Sequence, residues 1–182
     1  TLAAHKLHGP KGVGVLFLRR GARIRSQLVG GHQERDLRAG TENVAGIVGT
    51  GEALRLAVEH LDEENTRVRD LRDRLESGLF TAIPATHPIG DREHRLPNTA
   101  NVAFEALEAE AILMLLSNEG ICASSGAACS SGSLEPSHVL HAMGVPERIA
   151  HGAIRFSLSR FNTDADIERA LSVMPRVIER LR

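Results

Sequence analysis

The spacing of apolar residues along this chain changes several times, and each change predicts a different element. The run Val13 to Arg19 (Val-Gly-Val-Leu-Phe-Leu-Arg) follows two glycines and predicts a short buried strand. From Gly30 through Thr41 the chain is polar, charged and punctuated by glycine, which predicts a long loop of the kind that usually carries function or disorder. Asn43 is a candidate helix cap. Beyond Val44, apolar residues recur at Ile47, Val48, Leu54, Val58 and Leu61, then at Val68, Leu71, Leu75 and Leu79. That is helical spacing, in one bent helix or two in series, with Asp62-Glu63-Glu64-Asn65 as a solvated seam between the two sets.

Past Phe80 short strands alternate with helices. Asn98 to Phe104 alternates after Pro97 and reads as a strand. Glu108 to Asn118 is a nearly all-apolar helix closed by Gly120. Ile121 to Ala123 reads as a brief strand, and Cys122 upon it as a buried structural cysteine. Ser137 caps a short helix ending at Gly144, and Ala153 to Leu158 forms another strand. Thr163 opens a final helix with Asp164 and Asp166 near its positive end. Ile167, Leu171, Met174, Ile178 and Leu181 line its buried face, and Pro175 inside it predicts a kink. A boundary is expected near residues 60–80, between the tail of one domain and a compact α+β domain. The first part is too small for a complete domain, and the chain opens on Thr1 without a methionine. Both suggest a portion of a longer protein.

Composition narrows the function classes. With 182 residues, 42% hydrophobic content and a net charge of −1, the chain buries a real core and offers neither a basic face for nucleic acid nor an acidic tail. Trp and Tyr are absent, which removes the usual stacking platforms for single strands. No apolar run reaches the roughly 20 residues that span a bilayer. Cys122 and Cys129 cannot form a disulfide framework, so a reducing, cytoplasmic setting is expected.

Candidate chemistry lies at three places. Cys129 sits in Ser124-Ser125-Gly126-Ala127-Ala128-Cys129-Ser130-Ser131-Gly132-Ser133, a run without bulk that predicts a mobile loop able to carry a thiol. His5-Lys6 precedes Gly9-Pro10-Lys11-Gly12; Lys6 has the more apolar setting of the two lysines and suits a Schiff base with a carbonyl cofactor, although local sequence also fits an ordinary surface lysine. The same stretch lacks the Gly-Lys-Ser/Thr ending of a P-loop. Arg155 is a charge within the apolar strand Ile154-Arg155-Phe156-Ser157-Leu158, so it needs a carboxylate, either an internal partner or that of an amino-acid substrate. The pairs His5/His8 and His138/His141 lack further ligands in an established pattern, and no metal site is expected.

Six ordered motifs join these places: His5-Lys6-Leu7-His8-Gly9-Pro10-Lys11-Gly12, Gly30-Gly31-His32-Gln33-Glu34-Arg35, Arg38-Ala39-Gly40-Thr41-Glu42-Asn43, Ser124-Ser125-Gly126-Ala127-Ala128-Cys129, Leu134-Glu135-Pro136-Ser137-His138 and Ile154-Arg155-Phe156-Ser157-Leu158. Together they resemble the pyridoxal-phosphate-dependent cysteine desulfurases of the NifS/IscS group, from about residue 5 to the C-terminus. Gln33-Glu34-Arg35 and Gly40-Thr41-Glu42-Asn43 favour the NifS-like branch.

The resemblance implies an α/β, fold-type-I aminotransferase-like homodimer. Residues 1–65 would be the C-terminal remnant of the large cofactor-binding domain with a linker helix, and 66–182 the small α+β domain bearing the cysteine loop. Pyridoxal 5'-phosphate would be held covalently by Lys6, with His5 on its phosphate and Thr41 reaching the phosphate in the partner subunit. Arg155 would bind the carboxylate of L-cysteine. Cys129 would take the sulfur as a persulfide, leave L-alanine, and pass the sulfur to an iron–sulfur scaffold or another acceptor protein. Two departures from the family pattern stand out. Ala3 replaces a phosphate-binding serine found in many relatives. The family's first half, which supplies the aspartate under the pyridinium nitrogen and the histidine stacked on the ring, is not in the sequence, so the isolated chain is expected to be inactive. The alternatives are a selenocysteine lyase or other fold-type-I enzyme, or a non-catalytic dimerisation or scaffold-binding fragment. An aminotransferase would tolerate Cys129→Ala, whereas a desulfurase would not.

Overall fold

Small residues decide where the first helix packs. In the computed structural model, which describes residues 1–125 and 136–182, the chain divides into two compact units, Thr1–Leu61 and Asp62–Arg182.

In the first unit, β1 (Leu2–Ala3) pairs antiparallel with β2 (Gly14–Val15), Leu2 opposite Val15 and Ala3 opposite Gly14. Between them Ala4–Leu7 forms a 3₁₀ turn that ends where His8 enters the left-handed region at φ 63°. The Ala4 amide donates to Val13 O at 3.0 Å and the Gly9 amide to Ala4 O at 2.9 Å, closing the loop on itself. Helix α1 (Val44–Glu59) is capped by Asn43, whose side chain accepts from the Gly46 amide. Gly46, Thr50 and Ala53 are its buried positions. A Cβ on Gly46 would stand 2.6 Å from Val13 Cγ2, one on Gly49 3.1 Å from Pro10 Cγ, and one on Gly9 3.2 Å from Ala53 Cβ. The helix therefore approaches the loop to a distance only glycine and alanine permit.

The apolar series that predicts this helix lies elsewhere on it. Val44, Ile47, Val48 and Val58 are all exposed. The expected strand over Val13–Arg19 is likewise cut to Gly14–Val15, and Leu16 and Phe17 are exposed, Phe17 by 80%. No further strand lies beside β2 among the described residues, so apolar composition finds no ladder to join.

The second unit begins in a helical stretch. After α2 (Leu61–Glu63), the predicted polar seam is a π-helical turn, Glu64–Val68, followed by α3 (Arg69–Ala82). Arg67 secures this turn, pairing with Glu63 at 2.9 Å and donating to the carbonyl oxygens of Arg160 and Asn162. A four-stranded antiparallel sheet follows. Its strands are β3 (Thr86–Pro88), β4 (Thr99–Phe104), β5 (Ser124–Ser125) and β6 (Ala153–Ser157), in the order β3-β4-β6-β5. The helices between and after them are α4 (Ala109–Asn118), α5 (His138–Ala142), α6 (Glu147–Ala150) and α7 (Asp164–Leu181).

Alternation along the strands assigns the two sheet faces. Ala100, Val102, Phe104, Ile154 and Phe156 face the main core with α3, α4 and α7, where Leu79, Ile112, Leu116 and Met174 are fully buried. Ala103 and Ala153 face a smaller cluster with Leu140 of α5 and Ala150 of α6. Helix α7 carries a capping box, Thr163 accepting from the Asp166 amide and Asp166 from the Thr163 amide, and it runs continuously through Pro175. Among the predicted face residues, Ile167, Met174 and Ile178 are buried and Leu171 and Leu181 pack at its margin. The edge strand β5 is Ser124–Ser125 rather than Ile121–Ala123, and Cys122 is exposed, not a buried structural cysteine. Ile121, tied back through its amide to Leu116 O, takes the packing role instead.

A buried ion pair holds the loop that leads into β4. Glu76 on α3, 1% exposed, receives both guanidinium arms of Arg95, and Arg72 beside it donates to Leu96 O at 2.9 Å. The carboxylate raises the pKa of Arg95 further.

Candidate active site

Lys6 and His5 lie on the 3₁₀ turn between β1 and β2, and both are exposed. The apolar neighbours do not bury Lys6: Ala4 alone turns inward, at 0% exposure, and it anchors the turn beneath the two side chains. Among the described residues no carboxylate pairs with Lys6. The chain has only one other lysine, Lys11, also exposed. An exposed amine and an exposed imidazole, adjacent on a turn locked to β2 and α1, are a donor set that fits a carbonyl-bearing phosphate ester.

Thr41 is exposed in the same unit, at the end of the long loop. The loop is held from within. Gln33 Oε1 accepts from the Gly40 amide at 3.1 Å, the Ala39 amide donates to Leu28 O at 3.0 Å, and His32 Nδ1 stands 2.6 Å from Asp36 Oδ1. Glu34, Arg35 and Asp36 all take positive φ, at 51°, 57° and 64°, and Gly40 has φ 106°. Consecutive non-glycine residues in that region are strained, and such strain concentrates at functional loops.

Arg155 belongs to the second unit, in the middle of β6. Its register partners are Asn101 on β4 and Ser124 on β5. Directly opposed residues of antiparallel strands project to the same face, so Asn101, Arg155 and Ser124 form one polar row across three strands. The row is half-buried, on the face opposite the main core. Arg155 Nη2 donates to Ser124 Oγ at 3.3 Å, and among the described residues no carboxylate pairs with the guanidinium. Asn101 Oδ1 is buried and has no hydrogen-bond partner among the described residues. The sequence nominates Arg155 as a candidate but gives no sign that Asn101 and Ser124 stand beside it; strand register is the missing signal, because the three are far apart in the chain.

Cys129 lies outside the described residues, as does the run Gly126–Glu135 that carries it. One further charged cluster borders the sheet: His87 Nε2 stands 2.8 Å from Glu105 Oε2, and Arg148 3.2 Å from Glu105 Oε1. His87 first, and Arg148 after it, hold the Glu105 carboxyl below its usual range.

The chain belongs to the aminotransferase class-V family, whose pattern it matches over residues 1–170. That family uses pyridoxal phosphate in general, and its fold is the mixed helix-and-sheet arrangement described above. Within it, the chain is 65% identical over its whole length to a cysteine desulfurase of Gluconacetobacter diazotrophicus, of which it covers 46%. It is 56% identical to the cysteine desulfurase NifS of Azotobacter vinelandii, covering 45% of that protein. A solved NifS-like protein matches 98% of the chain with a TM-score of 0.86 at 42% identity, and the chain covers 45% of it. The chain thus spans about half the length of the curated relatives it matches.

Proposed function

We propose that these residues belong to a pyridoxal-phosphate-dependent cysteine desulfurase that converts L-cysteine to L-alanine and receives the sulfur on Cys129. The observation that carries the reading is Arg155: a half-buried guanidinium, fixed on a central strand, with no carboxylate partner among the described residues. An unpaired charge in that position is costly unless a ligand completes it, and a substrate α-carboxylate does so bidentately. Identity of 53–65% over the whole chain to relatives named cysteine desulfurase supports the same substrate.

In this reading Lys6 Nζ holds the cofactor covalently and afterwards moves protons at the substrate carbon. His5 and Thr41 hold the cofactor phosphate, Thr41 across a homodimer. The cofactor, when bound, supplies an electron sink for the bonds at the amino-acid carbons. Arg155 fixes the carboxylate. The Cys129 thiolate attacks the substrate sulfur; the carbon–sulfur bond breaks with its electron pair left on carbon, which takes a proton. Cysteine and a thiol become alanine and a persulfide, so no external oxidant enters. The persulfide then passes to an iron–sulfur scaffold or another acceptor protein in the cytoplasm. Residues 1–65 correspond to the end of the large cofactor-binding domain and 66–182 to the small domain. The isolated 182 residues are expected to turn over no cysteine, because several cofactor-holding groups of the family lie outside them.

The test is turnover of L-cysteine with dithiothreitol by the holoenzyme containing this chain, measuring alanine and sulfide together. Equal amounts of both are expected, with both lost on Cys129→Ala. Undiminished turnover by that variant would overturn the assignment.

A further inference from the structure

Among the described residues, Asn101 carries the one buried side-chain oxygen that has no hydrogen-bond partner, and its register partner is Arg155. A buried acceptor without a donor is uncommon and costs free energy, so its retention calls for a partner that arrives. The candidate donor is beside it. A guanidinium has five N–H groups; a bidentate carboxylate takes two, leaving three to be held by the protein. Among the described residues only Ser124 Oγ takes one, at a long 3.3 Å, from the β5 side. The β4 side of Arg155 is occupied by Asn101, its register partner, on the same face of the sheet.

We infer that Asn101 is a positioning residue for the substrate-carboxylate site, its carboxamide bracing the Arg155 guanidinium from the strand opposite Ser124 when a carboxylate ligand binds. This inference rests on the reading of Arg155 given above. Thr99 and Ser157 are the next pair along the same face, one register step away, so among the described residues Asn101 and Ser124 are the side chains that the register sets directly opposite Arg155. The ligand class is an α-amino acid with a free carboxylate. Asn101 then favours ligands that keep the carboxylate over the corresponding amines that lack it.

The experiment uses the holoenzyme containing this chain and two probes, L-alanine and ethylamine, titrated by calorimetry, with KM and kcat for L-cysteine alongside. For Asn101→Ala, alanine binding is expected to weaken about tenfold, as for loss of one hydrogen bond to a charged group, with ethylamine binding and kcat nearly unchanged. Asn101→Asp keeps the side-chain shape, and its charge would occupy the guanidinium and weaken alanine at least as much; it serves where the alanine variant folds poorly. Alanine affinity unchanged in both variants, or alanine and ethylamine weakened equally, would overturn the inference and leave Asn101 a packing residue. Arg155→Ala separates the two claims. If it leaves alanine affinity intact, the reading of Arg155 fails, and this inference with it. If Arg155→Ala weakens alanine while both Asn101 variants do not, only the role of Asn101 fails.

Discussion

Gly152→Ala tests whether the sheet that presents Arg155 is held as tightly as its geometry requires. Gly152 lies just before β6, and its carbonyl accepts from the Phe104 amide at 3.0 Å at the end of β4. A Cβ there would stand inside contact distance of the Phe104 carbonyl oxygen, with the carbonyl carbon at 2.9 Å and Leu107 O at 3.1 Å. All three are backbone atoms that cannot rotate away, and Phe104 is fully buried. The strands must separate or slide by roughly 1 Å, an overpacking cost of about 1–3 kcal/mol. Loss of the Phe104–Gly152 hydrogen bond adds about 1 kcal/mol. A total of about 3 kcal/mol lowers the urea midpoint by about 2 M for an m-value near 1.5 kcal/mol/M. Without Trp or Tyr in the chain, far-UV circular dichroism is the signal to follow. Because the same strands carry Asn101 and Arg155, the KM for cysteine in the holoenzyme should rise as well. A stability loss under about 1 kcal/mol would mean that the β4–β6 register is looser than the close approach implies.

Glu76→Gln removes one member of a buried ion pair and leaves Arg95 facing a neutral amide. Arg95 retains some solvent contact, so the expected loss is about 3 kcal/mol, at the lower end for such breaks, read from the urea midpoint. Thr163→Ala removes the hydroxyl that caps α7 and should cost about 1 kcal/mol by thermal melting. Glu105 and Asp166 have carboxyls held below their usual range, Glu105 chiefly by His87 and Asp166 by the Thr163 amide. Their contribution is complete above the unfolded carboxylate pKa of about 4 and is lost as pH falls through the lower folded values. Glu105→Gln should therefore flatten the acid limb of a stability–pH profile; an unchanged limb would remove that ion pair from the account.

The second unit was largely legible in the sequence because its elements close on one another. Alternation in β4 and β6, the glycine after α4 and the Thr163 box each encode a local preference that packing then reinforces. β3 and α6 were missed: three and four residues are too few to show a period. In the first unit composition misled, since Leu16, Phe17, Ile47 and Val48 signal burial that these residues do not find among themselves. At the site, Lys6, His5, Thr41 and Arg155 were nominated as candidates from residue type and motif. The row Asn101–Arg155–Ser124 could not, because register is a property of paired strands rather than of any one of them.

The most direct test of the central claim is to reduce the pyridoxal-phosphate-loaded holoenzyme with borohydride and locate the adduct by peptide mass spectrometry. This chain offers only Lys6 and Lys11. The account predicts that the reduced cofactor is found on Lys6, and that Lys6→Ala abolishes the visible absorbance band. An adduct on Lys11, or none on either lysine, would contradict it.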